Sequence, residues 1–224
     1  MRISSRAALR WLLMAMSFLG FWAPSAGAQA AIGVFGGLDR TDLSGDAPSK
    51  AKYRSQAGFA IGVVGELRIA DDVWLTPQPA WIQRGTRIAF AVQGEDDPVD
   101  SLKVTANYLT LPVLVKIVSG HGKTYVSGGL DLGLMLDATI SGAGEDQDVS
   151  DGFDPVDLSA NFAFGVMLPV GRPRLTFELR YSQSILNVAG PEQAPELYSL
   201  PPRFRWTGLR LFAGFLYPLG GGER

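Results

Sequence analysis

Residues 158–168 read Leu158-Ser159-Ala160-Asn161-Phe162-Ala163-Phe164-Gly165-Val166-Met167-Leu168. Every even position is apolar, while the odd ones are polar, small or flexible. Successive side chains of an extended chain point to opposite faces, so this stretch predicts a strand with one greasy face. Residues 175–182 repeat the pattern, with Leu175, Phe177, Leu179 and Tyr181 opposed to Thr176, Glu178, Arg180 and Ser182. Upstream, Val126, Leu130, Leu132, Leu134 and Leu136 oppose Ser127, Gly129, Asp131, Gly133 and Asp137. Phe59, Ile61, Val63, Leu67 and Ile69 likewise oppose Gly58, Ala60, Gly62, Glu66 and Arg68. Looser segments at 32–38, 73–90, 102–118 and 203–217 bring the expected total to about eight strands.

The connections between these segments alternate in length. Long ones are expected at 39–56, 91–101, 139–156 and 189–202, and short ones at 70–72, 119–123 and 170–173. Tight turns at one rim and long loops at the other predict an all-β fold: an eight-stranded antiparallel up-and-down transmembrane β-barrel with short periplasmic turns and long extracellular loops. The competing fold is a soluble lipocalin-like barrel or sandwich, whose strands also alternate. The two differ in which face carries charge. Here the apolar face is a nearly unbroken band of Leu, Val, Phe and Tyr, and the minority face holds the charges and many of the glycines. That places the charges in a lumen, where Glu66, Asp131, Asp137 and Glu178 are matched in number by Arg68, Lys116, Arg180 and Arg210. An unpaired charge out of water is costly, so this inward set predicts a network of pairs filling a narrow interior.

Composition narrows the function classes. The 224 residues contain no cysteine and one histidine, and 20 basic against 22 acidic residues give a formal charge of −2. Disulfide scaffolds, thiolate metal sites, thiol catalysis and a lipoprotein cysteine are excluded. The charge balance lacks the positive excess of a nucleic-acid binder, so no nucleic-acid partner is expected. Arg2, Arg6 and Arg10 precede the apolar run from Trp11 to Trp22, and Ala26-Gly27-Ala28 follows Pro24. This is a secretory signal with an A-x-A cleavage site, too short to span a bilayer. The expected division is therefore a signal peptide over 1–28 and one outer-membrane barrel domain over 29–224, located in the outer membrane of a Gram-negative bacterium.

Aromatic residues at Trp74, Tyr125, Tyr181, Trp206 and Tyr217 fall near strand ends, where a membrane interface would place them. The final strand alternates Leu209, Leu211, Ala213, Phe215 and Tyr217, resembling the C-terminal signal read by the barrel assembly machinery, although seven residues from Pro218 to Arg224 follow it. No appended peptidoglycan-binding domain is expected after this strand. The opening AIGVFGGLDRTDLSGD, together with VWLTPQPAWIQRG, YLTLPVLVK, TYVSGGLDLGLML and LTFELRYSQSILNV, resembles in order the strand motifs of the PorT-like outer-membrane β-barrel family. Asp39 and Pro79 depart from that pattern, where the family tends to have asparagine and glutamate. The resemblance implies the barrel fold and the outer-membrane location, with a link to secretion or gliding systems through the family's namesake.

Little in the chain points to catalysis. A hydrolase or acyltransferase site would need a general base. The only histidine, His121, lies in the short turn 119–123, at the end this topology assigns to the periplasm. A carboxylate pair such as Glu178 and Asp131 reads as structural. Glu95, Asp96, Asp97, Asp100, Glu145, Asp146, Asp148, Asp151 and Asp154 make the long loops acidic. The run 146–152 begins like a calcium loop, but its glycine comes one place late and no bidentate glutamate follows. No catalytic residue, cofactor or metal is expected. The expected function is that of a non-enzymatic, monomeric outer-membrane barrel with a structural or partner-binding role in the envelope, as a secretion or assembly accessory. Its expected partners are outer-membrane lipid and lipopolysaccharide, the barrel assembly machinery during insertion, and an envelope protein. The alternative is a narrow pore for ions or small solutes through the charged lumen. Pro112, central in a strand that needs its N–H groups, predicts a local irregularity there, while the effect of Pro77 and Pro79 on their strand is left open.

Overall fold

The computed structural model describes residues 29–45, 51–90, 100–142, 146–187 and 204–219. The expected signal segment 1–28, most of the loop 91–101, and the loop 189–202 lie outside the described residues. Ten strand segments account for nearly everything else: β1 (Ala30–Gly45), β2 (Ala51–Ala70), β3 (Val73–Pro77), β4 (Ala80–Phe90), β5 (Asp100–Val118), β6 (Thr124–Ser141), β7 (Gln147–Asp148), β8 (Val156–Pro169), β9 (Arg174–Ser184) and β10 (Phe204–Pro218). All pairings are antiparallel, and β1 pairs with both β2 and β10. Followed through β3 and β4, then β5, β6, β8 and β9, the pairings close into a ring of eight positions.

The eight expected strands thus appear as ten segments, for two reasons. The segment read as one strand over 73–90 is interrupted at Gln78-Pro79, so β3 and β4 share one ring position between β2 and β5. The other extra segment, β7, is a two-residue addition from the 139–156 connection that pairs back onto β6. The irregularity expected at Pro112 falls on the neighbouring strand instead, at this interruption. A strand residue directs its N–H and C=O to the same neighbour. The Pro112 carbonyl accepts from the Gln78 N–H at 2.9 Å, so the missing donor of Pro112 faces the break while β5 itself runs on unbroken. On the other side the Val63 N–H donates to the Pro79 carbonyl at 3.0 Å. The outer wall carries a depression of about 170 Å³ here, lined by Ile61, Val63, Pro79, Trp81, Leu109 and Leu111 among others.

The short connections fall where expected. Asp71 and Asp72 join β2 to β3, residues 119–123 join β5 to β6, and residues 170–173 join β8 to β9. Gly122 (φ 67°) and Gly171 (φ 72°) take the left-handed backbone that two of these turns require. At the other rim the strands run longer than their alternation suggests. β1 extends through Gly45 and β2 starts by Ala51, so most of the expected loop 39–56 is strand.

The outward face is the apolar one. On β5 it shows Leu109, Leu111, Val113, Val115 and Ile117. Eight residue steps cover about 26 Å of strand, or about 20 Å along the ring axis at a tilt of about 40°. Leu38, Ile61, Phe162 and Leu211 belong to the same belt, each more than half exposed. Phe59 and Trp81, with ring centroids 4.8 Å apart, mark its edge toward the long loops. Such a belt is stable against hydrocarbon, not against water.

Candidate functional site

The interior is layered. Toward the long loops lies an apolar cluster of Leu43, Ile88, Tyr108, Met135, Phe153 and Trp206 with smaller neighbours. Phe153 reaches it because the 139–156 connection folds back: the Val149 N–H donates to the Ala138 carbonyl, and a 3₁₀ turn at Ser150–Gly152 follows. The Trp206 indole N–H donates to the Tyr108 hydroxyl at 3.2 Å, which gives a buried polar atom its partner. A second apolar cluster, including Phe35, Ile82, Phe212 and Leu216, lines one side of the lower interior.

Between the two clusters runs a row of charges alternating in sign: Asp157, Arg84, Asp131, Arg210, Asp39. Arg84 Nη1 donates to Asp157 Oδ2 at 2.5 Å, while Arg84 Nη2 lies 3.9 Å from Asp131 Oδ2. Arg210 Nη1 is 3.7 Å from the same Asp131 oxygen, and its Nε is 3.4 Å from Asp39 Oδ1. All five side chains are essentially inaccessible to solvent. Room for them comes from small partners; a Cβ on Gly208 would lie 3.2 Å from Asp39 Oδ1 and 2.8 Å from the Thr41 methyl. Arg84 also lies over the Tyr108 ring, 4.5 Å from its centroid, which ties the charged row to the apolar cluster above.

A second charged group fills the side of the interior nearer the short turns. Arg180 is paired with Glu178 and donates to Gln78 Oε1 at 2.5 Å. The Tyr125 hydroxyl donates to Glu178 Oε2 at 3.0 Å. Lys116 is paired with Glu66, whose other oxygen accepts from Arg174 at 3.0 Å, and Lys116 lies 4.5 Å from the Tyr125 ring centroid. Taken together the interior holds Asp39, Glu66, Asp131, Asp157 and Glu178 against Arg84, Lys116, Arg180 and Arg210, with the half-buried Arg174 reaching Glu66 from the short-turn end.

Of the eight residues expected to form the lumen network, the structure places Glu66, Lys116, Asp131, Glu178, Arg180 and Arg210 in the interior. Two are elsewhere. Arg68 shares the inward parity of Glu66 but lies at the short-turn rim, bonded to the Asp71 carboxylate and carbonyl and to Gln29. Asp137 faces outward. The β5·β6 register shifts between Asn107 and Tyr108, which pair with Asp137 and Met135, so Leu136 is an extra residue and the alternation reverses beyond it. Asp137 then accepts from Asn107 Nδ2 at 2.8 Å on the outer surface. Two of the expected interface aromatics also move: Tyr125 and Trp206 are buried inside, whereas Tyr181 and Tyr217 are exposed.

Sequence reasoning missed Asp39, Arg84, Asp157 and Arg174. In the acidic connection, the Ser150 hydroxyl and N–H both donate to Asp148, which holds its carboxyl below the usual carboxylate range. Among the described residues no three acidic or histidine side chains converge as a metal site. His121 is exposed in the β5–β6 turn. His121→Ala should leave stability within about 0.5 kcal/mol of the parent, as for an ordinary surface position, when urea unfolding of the refolded protein is followed by tryptophan fluorescence.

Residues 22–190 match a family model described as an outer membrane protein beta-barrel domain. No curated protein matches the chain in sequence. Among solved structures, the chain is similar to the Neisserial surface protein A, NspA, at 15% identity, with 84% of this chain and 97% of that chain covered and a TM-score of 0.44. It is similar to Ail, the attachment invasion locus protein of Yersinia pestis, at 12% identity, with 84% and 99% covered and a TM-score of 0.41. For OprG from Pseudomonas aeruginosa the identity is 15%, the coverage 88% and 97%, and the TM-score 0.41. Likeness at this level says nothing about activity. The family match spans well over half of the sequence, and with it the chain belongs to the outer membrane protein beta-barrel domain family and resides in the bacterial outer membrane.

Proposed function

We propose that this chain is an eight-stranded, up-and-down, monomeric barrel of the PorT-like kind, with its short turns in the periplasm and its long loops outside. In this reading it is exported by a signal peptide, inserted by the barrel assembly machinery, and serves the envelope without catalysis, as a structural or partner-binding accessory to secretion or assembly. The observation that carries the reading is the filled interior. Matched charges and two apolar clusters occupy the space inside the ring. The void beside Glu66, Lys116, Glu178 and Arg180 is about 30 Å³, room for about two waters. An eight-membered ring leaves an interior just wide enough for side chains. A plugged barrel works through its loops and wall rather than through a channel.

A second reading is a narrow pore. Asp39 and Asp131 each lie at ion-pair distance from Arg210, but none of the three makes a side-chain hydrogen bond with a described residue. Such groups could be rearranged, or hydrated, to pass an ion. Conductance across a planar bilayer separates the readings, using refolded protein shown to be folded by its gel-mobility shift on boiling. The expected result is a silent bilayer. Reproducible discrete openings, altered by Glu178→Gln or Arg180→Gln, would establish the pore instead.

A further inference from the structure

The outward face carries a second charged feature, and it is not balanced. Arg54 on β2 pairs directly across from Arg87 on β4, and Arg87 directly across from Lys103 on β5. All three are exposed, and none makes a side-chain hydrogen bond or ion pair with any described residue. Cross-strand neighbours have Cβ atoms about 5 Å apart, and like charges placed so are destabilising. Arg205 on β10 and Arg40 on β1, both exposed, lie on the next strands around the ring, with Arg40 nearer the belt, across from Ala57. Arg40 bonds Ser55 and Arg205 bonds Asn187, both neutral. Among the described residues, two nearby acids are engaged elsewhere: Asp42 accepts from the Leu43 N–H and the Thr86 hydroxyl, and Asp137 from Asn107.

Height decides what this arc can meet. From Trp81, at the edge of the apolar belt, to Arg87 is six residue steps, about 20 Å of strand and about 15 Å along the axis. The polar zone of an ordinary bilayer adds only about 5–8 Å on each side of its hydrocarbon. An arginine reaching down by its own length still ends above the phosphate of a simple phospholipid. The ligand must therefore carry anionic groups well above its acyl chains, and more than one of them, spaced along a wall. Guanidinium groups favour phosphate through paired, charge-assisted hydrogen bonds.

We infer that Arg54, Arg87 and Lys103, flanked by Arg40 and Arg205, form a binding site for the phosphorylated core of lipopolysaccharide in the outer leaflet. The inference rests on the proposed orientation of the barrel. The site faces sideways into the lipid, so it holds a surrounding glycolipid against the wall rather than a ligand inside it. Bound phosphate would remove the repulsion along the row, and the protein would be more stable in lipopolysaccharide than in neutral detergent.

The test uses the mature chain refolded in neutral detergent and titrated with lipopolysaccharide, with chemically dephosphorylated lipopolysaccharide, with phosphatidylglycerol and with inorganic phosphate. Binding is read by native mass spectrometry, and folding by the gel-mobility shift. The parent should bind lipopolysaccharide at least tenfold more tightly than the other three. The triple variant R54Q/R87Q/K103Q should lose at least tenfold of that affinity and bind the dephosphorylated form unchanged. R87Q alone, at the centre of the row, should lose about threefold and covers the case in which the triple variant does not fold. Equal binding by parent and variants, or equal binding of phosphatidylglycerol, would overturn the inference. So would a tenfold gain on E95Q/D96N/D97N, which would mean that the acidic loop already covers the arc. Orientation is tested apart from this, by labelling Ser44→Cys and Gly120→Cys in intact cells with an impermeant maleimide, in a chain free of other cysteines. Labelling at Gly120 alone would invert the barrel and fail the proposed function, whatever the detergent titrations show.

Discussion

Replacing Arg210 by methionine should cost the folded barrel about 3–5 kcal/mol, the range for removing one partner of a buried ion pair. Arg210 lies between Asp39 and Asp131. Without it Asp131 keeps Arg84, but Asp39 has no other cation within ion-pair distance among the described residues. The loss should therefore come mainly from one stranded carboxylate. The double variant Arg210→Met with Asp39→Asn removes that charge as well, and should recover most of the stability. Urea unfolding of parent, single and double variants in the same detergent checks this. If the double variant is no better than the single one, the arginine contributes by filling space and not by pairing.

Gly165→Val should cost about 3 kcal/mol, by overpacking combined with the loss of a buried hydrogen bond. Gly165 on β8 faces Tyr125 on β6 across the ladder, and the phenol ring lies over it. A Cβ at Gly165 would fall 2.1 Å from the Tyr125 Cζ and 2.4 Å from its hydroxyl. No rotation of a valine relieves that overlap, so the ring must leave, and with it the bond to Glu178 and the contact with Lys116. The effect should be strongly non-additive. In a Tyr125→Ala background the space above Gly165 is open, and the same substitution should cost little. Additive costs would show that the strain lies in the strand backbone instead.

The alternation at 158–168 and 175–182 was enough to specify strand type, face and ring membership, because every lipid-facing position in a membrane wall must be apolar. Where that requirement ends, so did the legibility. Beyond the belt the outer face has left the hydrocarbon and need not be apolar, so Arg40 and Asp42 erase the contrast, and the segment from Asp39 onward reads as loop although β1 continues to Gly45. Carrying the odd-numbered inward positions Phe35 and Gly37 two residues further would have placed Asp39 inside. The same extension backward from Ser159 gives Asp157, and forward from Ile82 gives Arg84. Asp137 failed for a different reason, since a one-residue bulge at Leu136 has no signature in composition and inverts every side chain after it. Tyr125 and Trp206 were misread because an aromatic near a strand end suits a membrane interface and a barrel interior equally well; only the parity of their neighbours separates the two.

The interruption at Gln78-Pro79 sets how the wall opens. The closure between β1 and β10, by contrast, is an unbroken ladder from Ala31↔Pro218 to Gly45↔Phe204. At Gln78-Pro79 the chain is secured by the Gln78 N–H to Pro112 on one side and by the Val63 N–H to Pro79 on the other, and neither proline can return a bond. In the time domain of amide hydrogen exchange, a wall fails at its least cooperative seam. The amides of Val63 and Gln78 should therefore exchange well before those of Val34 or Phe215 at the chain closure. The first breathing motion of this barrel then lies within a continuous stretch of sequence, not where its two ends meet.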